Sequence, residues 1–196
     1  MPERSALSAA GGAPARWIGA GLTLEERPAQ GAVSLRLQGE PERRLAAAVL
    51  GLDLSGAPQT AVRRDDRAAL RLGPDEWLVL CRRTEESRLG EELRRSLDGY
   101  SGAAASIGNG TSVIEASGPQ ARRFLAKGTS IDLHPGVFAI GRCAVTGFGK
   151  IRVTLWRVEA DRYALLIGRS FARSVWDWAV DVSREWAANG GRSPRP

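Results

Sequence analysis

With 196 residues, 43% of them hydrophobic, the chain can bury a core and reads as one globular domain or two fused small ones. Its net charge of +6 invites a nucleic-acid role, but only Lys127 and Lys150 of the 28 basic residues are lysines. The arginines are scattered in pairs with acidic residues nearby, the pattern of solvated faces, and two distant cysteines with one histidine are too few for a metal site.

Residues 1–16 are mostly Ala, Gly, Ser and Pro and are expected to form a loose tail before a single folded domain at 17–188. They lack the continuous apolar stretch of a secretory signal, and the longest apolar run, 45–52, is far short of a membrane span, so a cytoplasmic protein is expected. The first strand read from the pattern, 33–39, alternates apolar residues and stops on Gly39. A helix follows from Pro41 through 42–50, because proline in a first helical turn forfeits no hydrogen bond and Gly51 suits a left-handed C-terminal residue. After Leu52-Asp53-Leu54 come strands at 59–64 and 67–72, turned by Asp65-Asp66, and at 76–81 beyond the Gly73-Pro74-Asp75 turn. A helix at 85–97 shows the stripe Leu89, Leu93 and Leu97, and a short strand at 103–107 lies between the turn signals Ser101-Gly102 and Gly108-Asn109-Gly110.

From residue 112 the chain repeats itself at an offset of about 79, with Ser112–Gly118 matching Val33–Gly39. Pro119 opens a helix at 120–127, Gly128 ends it, and Ile131-Asp132-Leu133 matches Leu52-Asp53-Leu54. The second copy inserts about seven residues and continues with strands at 140–146, 151–158 and 163–168 and a closing helix at 171–186. The expected fold is α+β, built from two strand-helix-three-strand-helix units at about 33–100 and 112–187, with helices packed on sheets and a loose tail at 189–196. Cys81 and Cys143 each sit in an apolar strand and are expected to be buried and reduced.

No chemistry of the chain's own is visible. His134, between Leu133 and Pro135, reads as a turn residue or as a contact to a partner. Gly147-Phe148-Gly149-Lys150 lacks the spacing and the trailing Ser or Thr of a phosphate loop and reads as a hairpin turn. In the last helix Phe171, Val175, Trp178, Val182 and Trp186 fall in one arc expected to face the sheet. Trp176 and Val180 lie outside that arc, which with His134 makes them the candidate partner surface; no catalytic, cofactor-binding or metal residue is assigned.

The segments Ser117–Gly128, Ile131–Gly136 and Gly168–Trp178 resemble the gamma subunit of heterotetrameric sarcosine oxidase, and Leu72–Leu80 fits the same pattern. That family is similar in turn to the folate-binding domain of glycine-cleavage aminomethyltransferases. The resemblance implies a complex that oxidises sarcosine to glycine and passes the methyl carbon to tetrahydrofolate. It implies FAD, FMN, NAD, tetrahydrofolate and zinc on alpha, beta and delta subunits, with none on this chain, and the large alpha-type subunit as the chief partner. A folate-binding carboxylate of the transferases has no match at Ala103-Ala104-Ala105-Ser106-Ile107. An equivalent subunit of a related N-methyl amino acid dehydrogenase, or a stand-alone folate-dependent one-carbon transferase, are the alternatives.

Overall fold

A computed structural model describes residues 7, 14–27 and 30–187. The tails expected at 1–16 and 189–196 lie outside the described residues, apart from Leu7 and residues 14–16; Leu7 is buried in a core and Arg16 opens a strand. The elements in chain order are β1 (Arg16–Gly19), β2 (Leu22–Glu26), β3 (Gln30–Arg36), α1 (Glu40–Leu50), β4 (Thr60–Arg64), β5 (Arg67–Arg71), β6 (Glu76–Arg82) and α2 (Glu86–Ser96). The second half supplies β7 (Ala103–Ser106), β8 (Thr111–Ser117), α3 (Ala121–Ala126), β9 (Cys143–Phe148), β10 (Ile151–Glu159), β11 (Arg162–Gly168) and α4 (Ala172–Val182). Among the described residues no helix is long and apolar enough to cross a membrane.

Local chemistry sets several boundaries. Gly51 takes a left-handed conformation (φ 67°) to end α1, as its lack of a Cβ permits. Arg64 pairs directly with Arg67 and Phe148 with Ile151, so Asp65-Asp66 and Gly149-Lys150 are two-residue hairpin turns, with Asp65 and Gly149 at positive φ.

Strands β4-β5-β6-β3-β7 form one antiparallel sheet and β1-β2-β8-β11-β10-β9 a second. The sheets stack face to face. Leu78, Leu80 and Leu70 of one meet Trp156, Ala164 and Leu166 of the other, while opposite faces bury Trp77, Val79 and Cys81 with Leu89 and Leu93 of α2, and Tyr163, Leu165 and Ile167 with Phe124 of α3 and Val175 of α4. The layers therefore run helix, sheet, sheet, helix, and β6 and β11, buried on both faces, read as continuous apolar runs instead of alternating ones. Along one edge β4 and the start of β9 are stitched together: the Ala61 N–H donates to the Gly141 carbonyl at 2.7 Å and the Cys143 N–H to that of Gln59 at 3.0 Å.

The duplication holds at the level of topology, since β3-β6-β5-β4 and β8-β11-β10-β9 pair in the same order. Its register differs from the sequence reading. Arg36 faces Glu76 at the start of β6 and Ser117 faces Arg162 at the start of β11, so β3 and β8 correspond at an offset of 81. A two-residue slip keeps every side chain on its own face, which is why the apolar pattern tolerated an offset of 79. Gly39 caps α1 and Gln120 caps α3, so Gln120 is the counterpart of Gly39; α3 has 6 residues against 11 in α1.

Two further strands, β1 and β2, precede the first unit, and β2 has a role the repeat did not reveal. It joins β8 in the second half's sheet, while β7 joins β3 in the first half's sheet. Each half thus gives its leading strand to the other. On α4 the buried stripe is Ala172, Val175 and Ala179, continued by Ser183 and Trp186 on the 3-10 turn after it, and Phe171 is 53% exposed on a 3-10 turn ahead of the helix. Phe171 therefore does not share the inward arc expected of it, because it precedes the α-helical spacing that begins at Ala172.

Both cysteines are free and buried. Burial pushes the Cys81 thiol up and the Cys143 thiol from 9.0 to about 12. A raised thiol pKa stabilises the fold fully below about pH 9, and that contribution is lost as pH climbs toward 12. Neither thiol should react with a disulfide reagent at pH 8 until denaturant unfolds the chain; stoichiometric reaction of the native protein would contradict their burial. Because the leading strands are exchanged, a chain cut between Gly99 and Tyr100 should give halves that show no cooperative melting alone and regain it when coexpressed. A sharp transition in either half alone, followed by circular dichroism, would count against the exchange.

Candidate functional site

His134 lies in the loop between α3 and β9. Its N–H donates to Asp132 Oδ1 at 2.8 Å, and its Nδ1 accepts from the Gly136 N–H at 3.2 Å, which leaves the proton of the neutral ring on Nε2. Its carbonyl accepts from the Val137 and Phe138 N–H groups, both at 2.8 Å. Phe138 turns into the core, while Val137 and Ile140 on either side of it are 57% and 60% exposed.

A buried arginine holds this loop. The Arg157 guanidinium donates to the Phe138 carbonyl at 2.9 Å and the Ala160 carbonyl at 2.8 Å and lies 5.7 Å from the Tyr163 ring centroid. The first half carries the same device. Arg71, opposite Trp77 as Arg157 is opposite Tyr163, donates to the Gly56 and Pro74 carbonyls at 2.7 Å and sits 5.2 Å from the Trp77 ring. At Arg157, whose buried Nε has no hydrogen-bond partner among the described residues, two carbonyl oxygens and an aromatic face stand in for a carboxylate, while Arg71 is only half-buried. The signal was present in the sequence as an arginine at the same place in each repeat, but solvated arginines elsewhere on the strands hid it.

Trp176 is half-buried and packs on the same core as the α4 stripe, so the far-side placement expected for it is corrected to a flank. Trp178 takes the other flank, edge-on to Phe148 with ring centroids 4.9 Å apart. Val180, one turn beyond Trp176, is half-buried and belongs to none of the core clusters. No hydrogen bond, ion pair or ring contact among the described residues joins His134 to Trp176 or Val180.

The stacked sheets leave two clefts at equivalent places of the repeat. One, of about 480 Å³, is lined by Arg27, Arg63, Arg67, Arg82 and Arg83 around Trp156. Each arginine has an acidic partner: Arg27 with Glu115 at 3.6 Å, Arg63 with Glu159 at 3.9 Å, an acid it shares with Arg162, Arg67 with Glu85 at 3.6 Å, Arg82 with Asp66 at 2.7 Å, and Arg83 with Glu86. The positive charge is spent internally, which removes the basis for phosphate binding there. The other cleft, of about 370 Å³, is apolar, with Val145, Val153, Leu166, Ile167 and Phe171. Of Gly147–Lys150, Gly147 and Phe148 end β9 and Gly149-Lys150 form the turn to β10, Gly149 standing near Trp178, and no three His, Cys, Asp or Glu side chains among the described residues converge to hold a metal.

Among the described residues this arrangement offers surfaces and clefts, and His134 stands apart from both clefts. Among curated proteins none matches the sequence. Among solved structures, a chain of the heterotetrameric sarcosine oxidase from Corynebacterium sp. U-96, in complex with pyrrole 2-carboxylate, is 29% identical, with a TM-score of 0.79 over 87% of each chain. The glycine cleavage system aminomethyltransferase T from Bartonella henselae is 13% identical with a TM-score of 0.64, over 85% of this chain and 47% of that one, a likeness of fold alone. The model of the sarcosine oxidase, gamma subunit family matches residues 41–185, from the first turn of α1 to the turn after α4. Spanning both halves of the duplicated fold, that match makes this chain a member of the sarcosine oxidase gamma subunit family.

Proposed function

We propose that the chain is a non-catalytic subunit of a heterotetrameric sarcosine oxidase, supporting oxidative demethylation of sarcosine to glycine with transfer of the methyl carbon to tetrahydrofolate. The observation that carries this reading is the likeness, over nearly nine-tenths of both chains, to a chain of a heterotetrameric enzyme. The alpha, beta and delta subunits are its partners, chiefly the large alpha-type one. In this reading FAD, FMN, NAD, tetrahydrofolate and zinc are carried by those subunits. The β3-to-α1 turn, Gln38-Gly39-Glu40-Pro41, has no dinucleotide fingerprint, the acidic side chains among the described residues do not converge for a metal, and β7 offers no carboxylate.

The partner surface in this reading comprises Trp176 and Val180 on the outer flank of α4 and His134 on its clasped loop. Trp176 is anchored from within by the core and presents its remaining face outward, which suits an interface residue held in one rotamer before binding.

The purified chain should be colourless and inactive on sarcosine, with activity appearing only when the large subunits are added; a stoichiometric flavin spectrum on the isolated chain would overturn the assignment. Val180→Glu should weaken assembly by about tenfold or more, the cost of an uncompensated charge in an interface, and leave the melting temperature of the free chain unchanged. Trp176→Ala should weaken assembly and also lower that temperature, because it loses core packing as well. Titration of each variant against the large subunits decides the matter, and wild-type affinity in both would remove α4 from the interface.

A further inference from the structure

The two sheets are equivalent strand by strand except at one edge. β2 lies on β8 with Leu24 opposite Ala116 and Glu26 opposite Ile114; β7 lies on β3 with Ala104 opposite Leu35 and Ser106 opposite Val33. At the offset of 81 between β3 and β8, Leu24 therefore corresponds to Ala104 and Glu26 to Ser106. The main-chain bonds agree. The Arg27 N–H donates to the Val113 carbonyl at 2.9 Å, and the Ile107 N–H donates to the Ala32 carbonyl at 2.7 Å.

In an antiparallel ladder alternate residues direct their N–H and C=O groups to opposite sides. Since Ile107 bonds inward to β3, Ala104 and Ser106 direct theirs outward, as Leu24 and Glu26 do in the other sheet. There β1 receives them: Trp17 stands opposite Leu24, and the Glu26 N–H donates to the Ala15 carbonyl at 2.8 Å. Beside β7 no strand among the described residues does so, because α2 leads straight into it. The edge has no proline, no charge and no bulge to discourage pairing; only its shortness protects it. Tyr100 and Ile107, at its two ends, are exposed.

The outer edge of β7, we infer, receives one extended segment of a partner subunit, antiparallel to β7, in the place that β1 occupies in the other sheet. The inference rests on the subunit role proposed above. The small Ala104, half-buried over the core beneath α2, stands where Leu24 stands in the other half, leaving room for a large apolar residue opposite it, as Trp17 is opposite Leu24. That room also argues against a second copy of this chain. Pairing β7 with β7 would set alanine against alanine and leave the space unfilled.

Hydrogen exchange compares the free chain with the chain assembled with the large subunits. The Ala104 and Ser106 amides should slow by about a hundredfold or more on assembly, while those of Leu24 and Glu26 are protected in both states. Assembly with both amides still exchanging freely overturns the inference and leaves the subunit role standing. Failure to assemble overturns both. Protection that grows with the concentration of the chain alone puts a second copy on the edge and overturns the partner assignment. Ala104→Pro and Ser106→Pro each delete an outward amide without removing a bond to β3, so each should weaken assembly by about tenfold with the free chain still folded. Unchanged affinity in both folded variants also counts against the inference.

Discussion

An antiparallel strand left at an edge exposes a row of unpaired main-chain groups, and by exchanging strands between its halves this molecule makes β3 and β8 interior and passes the edges to the short strands β7 and β1. Without β7, β3 would end its sheet; without β2, β8 would end the other. Once both are interior, β6 and β11 lie within sheets covered on each face, by helices on one side and by the opposing sheet on the other. Strand periodicity then divides their side chains. Trp77, Val79 and Cys81 go to one core and Leu78 and Leu80 to another, so every residue of the central run is apolar.

The same geometry explains how an exposed loop stays in place. Arg71 and Arg157 stand on the strand next to an interior one, each opposite an aromatic residue, and reach out of the sheet to the carbonyls of a connecting loop. In the second half this fixes Phe138 inward and leaves Val137 and Ile140 outward. Apolar side chains held in solvent by a rigid clasp lose little further entropy on binding, which is the condition under which exposed apolar groups contribute to an interface.

Much of this was legible in the sequence where local chemistry decides the outcome. The hairpin turns at Asp65-Asp66 and Gly149-Lys150, the end of α1 at Gly51 and the long apolar strands all follow from residues within a few positions of each other. The strand read at 140–146 begins at Cys143, because Gly141 takes φ 82° and the Arg142 N–H turns back to the Ala139 carbonyl. What the sequence did not reveal is non-local. β1 is four residues long and ends on glycine, and the partner of β2 lies some ninety residues away, roughly the separation at which loop closure carries no local signature. Of the surface residues, His134 occupies the turn expected of it, whereas Trp176 is drawn onto the core because the true stripe, centred on Val175 and Ala179, is rotated toward it.

Duplication also bears on which surfaces this fold leaves available for contact. The two clefts between the sheets occupy equivalent places, yet the 3-10 turn that enters one ends in Glu85 and the turn that enters the other ends in Phe171. Around the first, acid and arginine neutralise one another; around the second, Val145 and Phe171 present apolar surface. A pair of charges satisfied within the chain contributes little attraction for a partner, since binding must remove both from water, whereas exposed apolar area is released from water at no such cost. The two halves therefore keep one scaffold and differ in which surface remains available for contact, and the second half, with Phe171, Val137 and Ile140 all exposed, is the one that offers more of it.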